Sequence, residues 1–236
     1  MAVKTLADLM EHLSRVFGRR HRLYLPNVAD RTFALLCAVD NVQDGVRKGA
    51  SKRDLSAALA EAVARTLCCV ESYGDIPFVE ALAAKYPLNK CIYCHKRPCE
   101  CTERRAHHIL VKPNKVQSSW SLKQWCGSFR ATYGKKNKER GAYYCLTRLF
   151  GEVAEFVALQ MPGADNGSSS EILERDIAFE LADIFAWTIA VANVLDIDLE
   201  AAVLKRYGKG CSVCKKAVCA CTHFDMHRAL WHVKKT

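Results

Sequence analysis

The chain of 236 residues repeats itself, and this internal duplication constrains its fold more than any other feature. The segments CIYCHKRPCECT, from Cys91, and CSVCKKAVCACT, from Cys211, share the pattern C-x2-C-x4-C-x-C-T at an offset of 120 residues. Upstream, DIPFVEALAAKY (75–86) matches DIDLEAAVLKRY (196–207) at an offset of 121. Because self-similarity of this kind marks repeated structural units, the sequence predicts two tandem units, 1–112 and 113–236.

The hydrophobic pattern of the second unit predicts helices. Ser121 followed by Gln124 resembles a capping box, which indicates a first helix that begins there and ends near Thr132. No segment alternates apolar and polar residues as a half-buried strand would. The predicted class is all-α: two tandem helical bundles, each followed by a small zinc knuckle. The further helices of the second unit are expected over 142–160, 171–194 and 199–207.

The cysteine clusters predict two metal sites. Two thiolates at C-x2-C spacing can hold one ion from a tight turn, and four sulfurs suit tetrahedral Zn²⁺. An iron–sulfur cluster is the less favoured alternative, because nothing else in the sequence indicates redox chemistry. His107 and His227 share a repeat position, and either could replace one sulfur. The expected ligands are Cys91, Cys94, Cys99 and Cys101 in the first unit and Cys211, Cys214, Cys219 and Cys221 in the second. The other five of the 13 cysteines are expected to be core residues: Cys37, Cys68, Cys69, Cys126 and Cys145.

Two acid pairs in the second unit have helical spacing. Glu152 and Glu155 are three residues apart, as are Glu180 and Asp183, so each pair projects from one face of its helix. One such pair is common on an exposed helix. The second pair, however, lies in an almost entirely apolar segment, where burying two carboxylates is costly unless they are paired or bind a metal. Four converging carboxylates would suit Mg²⁺ or Mn²⁺.

The order E-x2-E, loop, E-x2-D on consecutive helices resembles the MazG family of all-α nucleoside triphosphate pyrophosphohydrolases. The surrounding sequence also resembles this family, in the segments GEVAEF and FELADIFAWTIAVANVLDIDLEAAVLKRY. The resemblance spans about 121–207. The resemblance implies cleavage of a (deoxy)nucleoside triphosphate to the monophosphate and diphosphate, with Glu152, Glu155, Glu180 and Asp183 holding Mg²⁺. The spacing does not assign the general base, for which Glu155 is one candidate.

Candidate substrate contacts are basic and amide side chains around the motif. Each lysine could equally be an exposed solubilising residue, and Asn193 could contact the nucleoside or be a polar core residue. The candidates are Lys135, Lys136, Lys138, Asn193 and Lys205.

The first unit lacks the acids. At offset 121, Glu180 and Asp183 correspond to Leu59 and Ala62, and no register restores the other pair. We therefore expect one catalytic site per chain. The first unit would serve as a scaffold that packs on the active unit like the second subunit of a dimer, or that completes the substrate pocket. A larger homo-oligomer is also compatible with the duplication.

The formal net charge is +10, and residues 104–140 hold ten Lys/Arg against one acid. Such a run is either a solvated face or a phosphate-binding surface. The rival interpretation is therefore a zinc-stabilised nucleic-acid or nucleotide-binding protein without catalysis. The apolar stretch 178–195 contains Glu180 and Asp183, which favours a core helix over a membrane span. With an amphipathic beginning rather than a secretory signal, the chain is expected in the cytoplasm.

Overall fold

The computed structural model describes residues 3–74, 76–88, 90–101, 112–161 and 169–222. Within these ranges the chain forms eight α-helices and no strand, which confirms the all-α prediction. In chain order they are α1 (Leu6–Tyr24), α2 (Val28–Arg47), α3 (Lys52–Ser72), α4 (Phe78–Lys85), α5 (Lys115–Ser118), α6 (Leu122–Ala158), α7 (Ser170–Val194) and α8 (Leu199–Tyr207).

Side-chain caps determine where several helices begin. The Ser121 hydroxyl accepts from the backbone N–H of Gln124, whose side chain accepts from the Ser121 N–H, which confirms the capping box at the start of α6. Thr5 and Asp8 form the same motif at the start of α1. Asp198 accepts from the backbone N–H of Ala201 at 3.0 Å and caps α8.

The prediction that the first helix of the second half ends near Thr132 is wrong. The helix continues to residue 140, is interrupted at Gly141 (φ +82°) and resumes to Ala158, so that α6 is two helices joined by one kink. Residues 133–140 contain no proline and several good helix formers, so nothing stops the helix there. In the first half, residues 25–27 separate α1 from α2 at the corresponding place, and the order of α1 to α4 recurs in α6 to α8.

The short helices α4 and α8 each pack against the opposite half of the chain. Within each half, α2 packs on α3 and α6 packs on α7, but α4 packs on α7 and α8 packs on α3 across the halves. Phe78 of α4 meets Phe185 of α7 edge to face, with ring centroids 5.6 Å apart. Most buried apolar side chains of both halves belong to one continuous hydrophobic cluster. The division of roles between 1–112 and 113–236 stays a prediction.

Among the described helices, α7 alone is long and apolar enough to span a membrane by length and composition. In the fold, however, 78% of its most apolar window is buried against the rest of the chain. Helices that are apolar nearly all round occur both in membranes and in protein cores. Its packing here is that of a core helix, as the acid pair inside it indicated.

The acid Glu61 of α3 takes part in the contact between α3 and α8. Its carboxylate lies 2.6 Å from Arg65 Nη2 and 3.1 Å from Arg206 Nη2, and it accepts a hydrogen bond from the Tyr207 hydroxyl. Burial alone would raise the pKa of Glu61, but the two guanidinium groups and the hydroxyl outweigh it and lower the pKa to about 2. The acid of this contact is thus neutralised by the chain itself.

We expect Glu61→Gln to lower the free energy of unfolding at pH 7 by about 3 kcal/mol, from the pKa difference between the folded and unfolded chain. Because the folded pKa lies below the unfolded one, this stabilisation is present above about pH 4.5 and is lost as the pH falls toward 2. In urea unfolding, the difference in free energy of unfolding between the wild type and Glu61→Gln should be smaller at pH 3 than at pH 7. Exposed Glu11, changed to Gln, is the control, and an equal difference at both pH values would contradict the prediction.

Candidate functional site

Three of the four motif acids meet where α6 packs on α7. One carboxylate oxygen from each of Glu152, Glu180 and Asp183 lies within 4.8 Å of the others. The side chains of Glu152 and Asp183 are buried, with 4% and 7% of their residue surface exposed. Glu155 is exposed one turn further along α6 and lines the same cavity. The helix contact therefore gathers these acids at one place, as i, i+3 spacing on facing helices would require.

Burial and mutual repulsion make this cluster electrostatically unfavourable. Burial, followed by the charges of Asp183 and Glu155, raises the pKa of Glu152 to about 7. Burial likewise raises the pKa of Glu180 to about 7, with the neighbouring acids adding to it and Lys85 opposing it. Glu180 Oε2 is also buried without a hydrogen-bond partner. A bound cation would satisfy that oxygen and offset the repulsion.

Two residues of the first half complete the cluster, and sequence reasoning missed both. Lys85, at the end of α4, places its Nζ 2.6 Å from Asp183 Oδ2, and the hydroxyl of the next residue, Tyr86, donates to Asp183 Oδ1. The signal was present in the repeat itself, since Lys85-Tyr86 corresponds to Arg206-Tyr207 at offset 121. What the sequence could not reveal is that each pair contacts the acids of the opposite half.

The acids form part of the wall of a cavity of about 650 Å³, a volume typical of small-molecule sites. Arg148 contacts Glu152 at 2.6 Å and lies 5.7 Å from the centroid of the Trp187 ring. Arg140 lies 4.7 Å from the centroid of the Tyr144 ring. The wall thus combines acids with basic and aromatic side chains. The basic ones are Lys85, Lys136, Arg140, Arg148 and Arg175, and the aromatic ones are Tyr86, Tyr93, Phe129, Tyr133, Tyr144, Phe179 and Trp187.

The candidate substrate contacts separate into two groups. Lys136 lines the cavity, and its ammonium donates to the carbonyl of Cys101. Asn193 is buried away from the cavity lining, where its amide accepts from Arg130 Nε at 3.2 Å and donates to the Cys126 carbonyl at 3.1 Å. These contacts fit the polar-core alternative for Asn193. Three further candidates are exposed and do not line the cavity: Lys135, Lys138 and Lys205.

Each cysteine cluster has a geometry that can hold zinc. In both groups of four, the sulfurs lie within 4.8 Å of one another. The Cys91 and Cys101 sulfurs are 3.7 Å apart and those of Cys211 and Cys221 are 3.8 Å apart. A tetrahedron with Zn–S bonds of about 2.3 Å has edges of about 3.8 Å, so these distances match tetrahedral coordination.

The two knuckles share a left-handed turn position. His95 and Lys215, 120 residues apart, both have left-handed φ values, of 56° and 60°. In the second knuckle, N–H groups of Ala220 and Lys216 lower the pKa of the Cys214 thiol to about 6, which favours the thiolate form that binds metal. His107 and His227, the alternative ligands, lie outside the described residues.

Each knuckle docks on a helix of the opposite half, the first on α6 and the second on α1. The Cys99 N–H donates to the Thr132 carbonyl at 2.8 Å, and the Cys219 N–H donates to the Val16 carbonyl at 2.7 Å. The segments that follow the knuckles, 102–111 and 223–236, lie outside the described residues. Only the first knuckle faces the acid cavity, through Cys91, Ile92, Tyr93, Cys99 and Cys101.

A third group of metal-ligating residue types, His21, Cys68 and Glu71, lies in the first half. Glu71 accepts from Ser14 Oγ at 2.7 Å, and it contacts His21 Nδ1 at 2.9 Å and Arg31 Nη1 at 3.3 Å. Burial raises the pKa of the Cys68 thiol to about 12. With the carboxylate paired to Arg31 and the thiol protonated, this group is a hydrogen-bonded part of the interior, which fits the expectation that Cys68 is a core residue.

Comparison of the chain with protein-family models, with curated proteins and with solved structures finds no significant match. The resemblance to the MazG family therefore depends on the motif residues and their order along the chain. The chemistry of the site has to be argued from the side chains that line it.

Proposed function

We propose that the chain is a Mg²⁺-dependent nucleoside triphosphate pyrophosphohydrolase, which converts a (deoxy)nucleoside triphosphate and water to the monophosphate and diphosphate. The observation that carries the proposal is the convergence of Glu152, Glu180 and Asp183 on one cavity, with Glu180 Oε2 buried and unpaired. The MazG-like motif names the reaction class, and the cavity is large enough for a nucleotide.

The donor set fits a hard divalent cation. All candidate ligand atoms are carboxylate oxygens, which suit Mg²⁺ or Mn²⁺ rather than a softer metal. Mg²⁺ binds oxygens at about 2.0–2.1 Å in an octahedron, so that its ligand oxygens lie about 3–4 Å apart. The three oxygens lie within 4.8 Å of one another, so small side-chain rotations can bring all three into contact with one ion. When bound, divalent ions neutralise phosphate oxygens and lower the pKa of a bound water.

The remaining wall supports recognition of an anionic, planar substrate. Arg140, Arg148 and Arg175 can pair with phosphate oxygens, for which the guanidinium fork is well shaped. The rings of Tyr144 and Trp187, with centroids 6.1 Å apart, offer an apolar surface on which a nucleobase can stack. Glu155, exposed in the same cavity, is the candidate acceptor for the proton of the attacking water.

The rival function, nucleic-acid binding through residues 104–140, has less support. Within the described part of that run, Lys136 and Arg140 line the cavity and Arg130 contacts Asn193. The basic residues therefore do not form one outward strip. If nucleic acid were the ligand, affinity would fall steeply as salt rises, because each phosphate contact releases counterions.

The test is a panel of ribo- and deoxyribonucleoside triphosphates incubated with zinc-loaded protein, with Mg²⁺ either added or omitted. Omission is preferable to a chelator, which would also remove zinc. We expect at least one triphosphate to yield monophosphate and diphosphate only when Mg²⁺ or Mn²⁺ is present. The absence of cleavage across the panel, from protein that holds zinc at both knuckles, would contradict the proposal.

A further inference from the structure

Lys85 is a buried cation that comes from the half without the acid motif. Its side chain is 6% exposed, and its Nζ lies 2.6 Å from Asp183 Oδ2 and 3.2 Å from the Phe179 carbonyl oxygen. The ammonium also lies 5.6 Å from the centroid of the Phe179 ring. Lys85 therefore contacts a carboxylate oxygen beside the position that a divalent ion would occupy between Asp183 and its neighbours.

The corresponding contact in the other half shows what differs at this site. Arg206 contacts Glu61 at 3.1 Å, as Lys85 contacts Asp183, and a tyrosine hydroxyl donates to the acid in both places. Around Glu61, two arginines face a single carboxylate. Around Asp183, Lys85 and Arg148 face four carboxylates, and one of their oxygens has no hydrogen-bond partner. The basic groups outnumber the carboxylate at the first contact, whereas the acids outnumber Lys85 and Arg148 at the second.

A lysine is suited to a contact that has to be released. Its ammonium is a single charge at the end of a flexible chain of four carbons, whereas a guanidinium is planar and donates several hydrogen bonds at once. A divalent ion bound to Asp183 would lie close to the Lys85 ammonium, and the two positive charges would repel each other. Lys85 lines the cavity together with other basic side chains, and an anionic substrate would lie in this cavity.

We propose that Lys85 competes with the divalent cation for Asp183. Its ammonium contacts the Asp183 carboxylate when no divalent ion is bound between the acids, and it shifts to the triphosphate when metal and substrate bind together. This role rests on the proposed function of the same site. It makes tight metal binding depend on the nucleotide, because the substrate supplies the negative charge to which Lys85 moves. It also assigns the first half a direct part in the site, as the source of a positioning residue.

The experiment measures Mn²⁺ binding to the full-length, zinc-loaded protein without nucleotide, by electron paramagnetic resonance of the free ion. Lys85→Met, which keeps the length of the side chain and removes its charge, should bind Mn²⁺ about tenfold more tightly than the wild type. Arg206→Met, the matched change in the other half, should leave Mn²⁺ affinity unchanged. In the presence of Mn²⁺, Lys85→Met should bind a non-hydrolysable α,β-methylene triphosphate less tightly than the wild type.

Unchanged or weaker Mn²⁺ binding by folded Lys85→Met would overturn the inference, as would an equal gain in Arg206→Met. Lys85→Gln, which can still donate to Asp183, provides the same comparison if circular dichroism shows that the methionine variant is not folded. Lys85→Arg retains the charge and should bind Mn²⁺ like the wild type. The Mn²⁺ measurement is independent of turnover, so a wild-type protein that cleaves no triphosphate would contradict the proposed function without deciding the competition between Lys85 and metal.

Discussion

Replacing Glu180 by glutamine is expected to reduce Mg²⁺-dependent diphosphate release about 10²–10³-fold, the loss typical of removing one preorganised electrostatic group from a reaction centre. Glutamine has the shape of glutamate and leaves the contact between α6 and α7 intact. It removes the negative charge from the buried carboxylate that has no hydrogen-bond partner for Oε2. The measurement is the rate of diphosphate release at saturating substrate and Mg²⁺.

The same variant should be more stable than the wild type when no divalent ion is present. The pKa of folded Glu180 is raised to about 7, above its unfolded value, so the fold favours the protonated form. The stability linked to this group is therefore complete below about pH 4.5 and is lost as the pH rises through 7. At pH 8 and without added Mg²⁺ or Mn²⁺, zinc-loaded Glu180→Gln should melt at a higher temperature than the zinc-loaded wild type.

Glu174→Gln, at an exposed position of the same helix, should change neither activity nor stability appreciably. Activity within a few-fold of the wild type in Glu180→Gln would contradict a metal-binding role for this acid. A lower melting temperature at pH 8 would instead contradict the electrostatic account of the cluster.

The second large effect is expected at the cysteine knuckles, where the two sites should behave differently. Cys94→Ser and Cys214→Ser should each lower the zinc content from two ions per chain to one, as measured by elemental analysis. Both should reduce thermal stability strongly, because zinc contributes about 10–16 kcal/mol of apparent binding energy to the folding of small zinc domains. Only Cys94→Ser is expected also to impair nucleotide binding.

The difference follows from what each knuckle touches. The first lines the acid cavity, its Ile92 N–H is 3.3 Å from the Tyr133 hydroxyl, and its Cys101 carbonyl accepts from Lys136. The second docks near the start of the chain, at Val16 and through the Tyr24 hydroxyl, which donates to the Thr222 carbonyl at 2.6 Å.

Binding of the α,β-methylene analogue should be measured by calorimetry at a temperature where both variants are folded. Equal loss of nucleotide affinity in the two variants would contradict this assignment. A zinc content that stays at two ions in either variant would contradict four-cysteine coordination at that knuckle.

Local signals in the sequence were sufficient for several structural features. Ser121 with Gln124 identified the start of α6, because a capping side chain has to lie next to the N–H groups that it satisfies. The predicted end of the first helix near Thr132 was wrong because the sequence holds no proline there, and one glycine, Gly134, weakens a helix without ending it, so that α6 is interrupted only at Gly141. Helical spacing also put Glu152 and Glu155, and likewise Glu180 and Asp183, on common faces.

By itself, the sequence determined the all-α class, the duplication, two cysteine clusters of identical spacing and two acid pairs at helical spacing. All of these depend on residues close together in the chain or on repetition along it. Tertiary structure alone decided that α4 and α8 exchange partners, so that Lys85 and Tyr86 reach Asp183 while Arg206 and Tyr207 reach Glu61. It also decided that the first knuckle forms part of the cavity wall. The reason is physical: these contacts join residues from 35 to 146 positions apart, and they form only when the apolar faces of both halves pack into one core.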